Sequence, residues 1–277
     1  MNSFILVLAN LPEAAAHTAR YAAALGQPLG LRLALLHCYL YPTLLEPELV
    51  GEVVEQLDRN EAETLAALRA LASRLPVPTE VVEAASLVED DVAAAVRHYH
   101  PLLLVMGLGP EQSLLDELLR SQVLPVLRAT HRPVLLVPAA ATAAAPPRCV
   151  LVAVDGEPFT LAASSRNLVE LLGSWAAVYT VAHIDLNSGL LGTSGQLALA
   201  DVRASQLLPS ATPLELYEVC DQTPAAGVLH AAADIHADLL VLIVRPRSFL
   251  GDLFHRSVTA EVLRHSQVPV LLLPAAG

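Results

Sequence analysis

LLLVMGLGPEQSLLDELLRSQVLPVLRATHRPVLLVP, residues 102–138, decides the fold, because residues 238–274 write it again as DLLVLIVRPRSFLGDLFHRSVTAEVLRHSQVPVLLLP. A shift of 136 positions, without a gap, superposes Pro110 on Pro246, Leu114 on Leu250, Asp116 on Asp252 and Arg120-Ser121 on Arg256-Ser257. It also superposes Leu127-Arg128 on Leu263-Arg264 and Pro133-Val134 on Pro269-Val270. Solenoid repeats have periods of ~20–50 residues. A repeat of about half the 277-residue chain therefore reads as two homologous domains, and a functional site is expected twice.

Working outward, the length suits two domains that each bury a core. Apolar residues make up 54%, yet no uninterrupted apolar run reaches the ~18–20 residues of a membrane-spanning helix, so no membrane partner is expected. MNSFILVLAN reads straight into a strand without a basic region, so no signal peptide is expected and the cytoplasm is the default location. A formal charge of -12 opposes phosphate backbones, which argues against nucleic acid, although a local cationic pocket can still hold one small anion. Cys38, Cys149 and Cys220 have no CxxC spacing and read as small apolar core residues.

In chain order, FILVLA (4–9) is an apolar run of strand length, as in a parallel sheet covered on both faces. A helix with Pro12 in its first turn follows, with Gly26 as its left-handed stop. LRLALLHCY (31–39) is the second strand. Leu49, Val53, Leu57, Leu65, Leu68 and Leu75 lay one stripe on a long helix. VPTEVVEA (77–84) is the third strand, and Glu89, Asp90 and Asp91 favour a helix start and are not read as a metal site. LLLVMG, a helix over 121–130, and PVLLVP complete a βαβαβαβαβ unit. AAATAAAPPR (139–148) reads as a linker, which places domains at 1–140 and 148–277. The second half restarts at CVLVAV (149–154), followed by a helix expected over 158–172 and stopped by Gly173. Strands at 177–183, 214–219, 239–244 and 270–274 follow, with helices ending near Leu207 and at 225–235 and 257–266.

Open parallel α/β sheets bind ligands beyond the carboxyl ends of their strands, where strand order reverses. Three segments converge there in each half: Asn10 or Asp155 after strand one, the stretch from Gly107 or Val244 after strand four, and Arg120-Ser121 or Arg256-Ser257 at the start of helix four. A helix start offers unpaired N–H groups, and a preceding arginine adds charge, so a small anionic ligand is the chemistry these residues fit. Each residue also has a plainer reading. Arg120 and Arg256 lie four positions after Asp116 and Asp252 and can form helix pairs; Ser121 and Ser257 can be N-caps; Asp155, before Gly156, can cap the next helix. His98-x-His100 lacks a third ligand, and His37 and His183 read as structural strand tips. Trp175 is expected to pack or to lie near the domain junction.

Both halves resemble the universal stress protein family in tandem form. The resemblance runs from FILVLANLPEAAAHTARYAAAL and CVLVAVDGEPFTLAASSRNLVELL, through LALLHCY and VYTVAHID, to the repeated C-terminal stretches. It implies an α/β fold of two doubly wound domains, each with a five-stranded parallel sheet of order 3-2-1-4-5, paired as a pseudo-dimer through the fifth strands. Further homo-oligomers are compatible with that arrangement. The family's nucleotide-binding members carry an Asp after strand one for the adenosine end, and a Gly-x-x-Gly-x9-Gly-Ser/Thr pattern after strand four whose backbone cradles phosphates.

This chain departs from that pattern. In the first half Asn10 stands at the Asp position, Gly107 and Ser121 are kept, and Pro110 and Arg120 replace glycines. In the second half Asp155 and Ser257 are kept, but Ile243, Pro246 and Arg256 take all three glycine positions. Proline removes an N–H donor, and side chains block close backbone approach. The expected function is a noncatalytic stress-response protein that binds a small ligand or a protein partner. The alternative is an ATP- or AMP-binding member, with adenine nucleotide as cofactor and slow ATP hydrolysis. No nucleophile paired with a base supports a hydrolase of another kind.

Overall fold

The computed structural model describes residues 3–9, 12–38, 50–84, 88–109, 119–141, 145–185, 193–221, 223–245 and 257–276. The first half runs β1 (Phe4–Leu8), α1 (Pro12–Gly26), β2 (Arg32–Cys38), α2 (Val50–Ala72), β3 (Thr79–Ala84), α3 (Val88–Tyr99), β4 (Leu103–Leu108), α4 (Leu124–Thr130) and β5 (Val134–Pro138). The second runs β6 (Cys149–Val154), α5 (Ala163–Arg166), α6 (Val169–Ser174), β7 (Val178–Asp185), α7 (Thr193–Ala204), β8 (Leu214–Cys220), α8 (Pro224–Asp234), β9 (Leu239–Val244), α9 (Val258–His265) and β10 (Val270–Pro274).

The ten strands among the described residues form one sheet, ordered β3-β2-β1-β4-β5-β10-β9-β6-β7-β8. Each half has the order 3-2-1-4-5 with parallel neighbours. The halves join antiparallel through their fifth strands, with Leu271 opposite Leu135. That pairing closes two apolar edges which would otherwise template aggregation.

Strand alternation sorts the core into two layers. On β1, Ile5 and Val7 face the layer under α1, α2, α5, α6 and α7, whereas Leu6 and Leu8 face the layer under α3, α4, α8 and α9. Both layers cross the junction, so the halves share core as well as backbone pairing. Trp175, 3% exposed, supports this: its indole N–H donates to the Leu25 carbonyl of α1 at 3.1 Å. In α2, Leu65 and Leu68 of the expected stripe are buried.

Three local expectations need correction. Gly26 remains right-handed (φ -83°); the chain continues as a 3-10 turn over Gln27–Leu29, and the left-handed residue is Gly30 (φ 62°). The fourth helix begins before Ser121, as a π-turn over Leu119–Val123 that passes into α4. The helix expected over 158–172 is replaced by the short α5 and α6, and Gly173 lies inside α6. The reason is tertiary. Residues 160–162 run along the end of β10, where Ala276 N–H donates to Thr160 O, Ala162 N–H donates to Pro274 O, and Leu161 bridges Ala275.

Candidate functional site

The order of the second-half sheet reverses between β6 and β9. The chain leaves β6 toward α5 on one face and leaves β9 toward α9 on the other, which opens a crevice at their carboxyl ends. A cavity of about 290 Å³ lies there, walled by Phe159, Ile184, Val228, Leu242 and Ile243, with Asp155, Arg245, Ser257 and Thr259 as its polar groups. The walls follow from strand register: Ala153, one residue short of the end of β6, pairs with Leu242 of β9 and with Ala182 of β7.

Asp155 is the first residue beyond β6, and Gly156 turns the chain with φ 73°. There the positive φ favours glycine, and an added Cβ would press on the His183 ring at 3.1 Å. Both oxygens of the Asp155 carboxylate accept hydrogen bonds from within the protein. Arg245, the first residue beyond β9, donates from Nη2 to Oδ1 at 2.8 Å and from Nε to Oδ2 at 3.2 Å, and the Glu157 backbone N–H donates to Oδ1 at 3.1 Å. Arg245 also donates to the carbonyls of Glu157 (2.8 Å) and Pro158 (3.2 Å). One guanidinium thus satisfies the carboxylate and ties down the loop after β6 in the forked geometry that suits arginine. Partial burial pushes the Asp155 carboxyl up, but the Arg245 hydrogen bonds, the Glu157 N–H and the Arg245 charge outweigh it and hold the group below the usual carboxylate range. The Asp155 hydrogen bond in turn raises the Arg245 guanidinium above its ordinary value.

Ser257 is the N-cap of α9: its Oγ accepts the Ala260 N–H at 3.2 Å, so the capping reading of this residue holds locally. Arg256 and Asn10 lie outside the described residues. Gly107 sits in β4 beside Val137 of β5, and the backbone of Arg120 and Ser121 lies in the π-turn before α4. The structure therefore brings together Asp155 and Ser257, and it adds two residues that the sequence reading passed over, Arg245 and Phe159. The signal for Arg245 was available. It occupies the place of Gly109 under the 136-residue shift, immediately after an apolar strand whose neighbour ends in an aspartate.

The histidines read as strand tips, His37 and His183, are both buried, and His37 Nδ1 lies 3.3 Å from the Ala9 carbonyl oxygen. Cys149 is half-buried rather than core, and its thiol donates to the Ile235 carbonyl. Among the described residues no group of three His, Cys, Asp or Glu side chains is placed to hold a metal ion. No helix among them is long and apolar enough to cross a membrane.

Fold and crevice together define a class: a tandem doubly wound α/β protein with a ligand-type crevice at its strand-order reversal. The universal stress protein family model matches the chain twice, over residues 1–138 and 147–274, and the chain belongs to that family. Among solved structures, a universal stress protein from Archaeoglobus fulgidus is 17% identical, with 99% of this chain and 96% of that one covered at a TM-score of 0.65. A functionally unknown protein from Pseudomonas aeruginosa is 16% identical, with 99% and 93% covered and a TM-score of 0.57. A universal stress protein in complex with cAMP is 24% identical over 47% of this chain and 98% of its own, with a TM-score of 0.36. No curated protein matches the sequence.

Proposed function

We propose that this chain is a noncatalytic stress-response module whose second-half crevice receives a small, mostly apolar ligand or a partner's side chain in place of an adenine nucleotide. The observation that carries this reading is the Asp155–Arg245 fork: both carboxylate oxygens already accept hydrogen bonds from within the chain. A nucleoside approaching Asp155 would compete with a guanidinium that itself holds two backbone carbonyls. The loss of all three glycine positions after β9 adds to this, because Ile243, Pro246 and Arg256 offer side chains or a missing N–H where close backbone approach is needed. What remains of the crevice is apolar wall with Thr259 at its edge.

The test is calorimetric titration of the full chain with ATP and Mg²⁺, AMP and cAMP, beside an assay of phosphate release. No binding at millimolar nucleotide and no hydrolysis are expected. Micromolar binding that is lost in Asp155→Ala would overturn the proposal in favour of a nucleotide-binding member.

A further inference from the structure

We draw no further inference here: the strongest candidate, the buried His183 near the carboxyl end of β7, whose Nδ1 has no hydrogen-bond partner, lies against Gly156 at the rim of the crevice already described and is not among the groups that line its cavity, so nothing in the structure shows a ligand reaching it.

Discussion

Removing Arg245 is the most informative perturbation, because one side chain ties Asp155 to the loop after β6 at the polar end of the crevice. Arg245→Ala deletes two hydrogen bonds to the Asp155 carboxylate and two to the carbonyls of Glu157 and Pro158. The two partners of the pair differ in exposure: the arginine side chain is 17% exposed and the aspartate 57%. A charged hydrogen bond in a protected site contributes roughly 1.5–3 kcal/mol, and a fully exposed pair about 0.2–1 kcal/mol. Screening at the aspartate end sets the expected loss near the lower boundary, about 1.5 kcal/mol in total, with roughly 1 kcal/mol of it coupling between the two side chains. A double-mutant cycle of Arg245→Ala, Asp155→Asn and their combination, followed by chemical denaturation, isolates that coupling. The pH dependence supplies a sign. Because the folded-state Asp155 carboxyl is lowered, its contribution is fully present above the unfolded-state value of about 3.9. It is lost as pH falls through the lower folded-state value. The gap between the wild type and Asp155→Asn should therefore stay flat from pH 8 to about pH 5 and narrow below about pH 4. Coupling below about 0.3 kcal/mol at neutral pH, or a gap that widens on acidification, would refute the fork as the element that holds the crevice rim.

Other perturbations test different parts of the molecule. Arg245→Gly gives the second half the residue that the first half has at Gly109, and should admit adenosine measurably in calorimetry; ATP should gain no more than adenosine, since the phosphate-side glycines are still missing. Trp175→Phe strands the Leu25 carbonyl and removes buried indole area, and should lower stability by about 2–3 kcal/mol in urea titrations followed by circular dichroism. Gly173→Ala should destabilise by about 1–2 kcal/mol despite the ~1 kcal/mol that alanine gains in a helix, because the new Cβ would lie 2.5 Å from the rigid Pro209 ring. Gly109→Ala, with nothing among the described residues within 4 Å of the added Cβ, should leave the melting temperature unchanged.

The places where the sequence could and could not be read divide along a physical line. The duplication and the two-sided core follow from a gapless repeat and apolar runs, since burial on both faces leaves a one-dimensional trace, whereas strand order and the antiparallel joint at Leu135 and Leu271 are implied by the resemblance to the universal stress protein family. Gly26 resisted reading because a local turn continues the helix there, and the stretch from Pro158 to Ala162 because long-range bonds override local preference. Gly26 stays helical as the chain tightens into a 3-10 turn, and residues 160–162 are claimed by the end of β10, more than a hundred positions later. Arg245 resisted for another reason. Comparison with a glycine motif asks which glycines are missing, and so directs attention to Ile243, Pro246 and Arg256, whereas the side chain that changes the chemistry stands between those positions. Its effect requires a partner ninety residues earlier in the chain, Asp155, brought beside it only because β6 and β9 are neighbours in the sheet. A retained Asp155 therefore does not by itself carry a reading of retained binding: the carboxylate persists, and the first arginine past β9 donates to it while holding the carbonyls of the crevice rim.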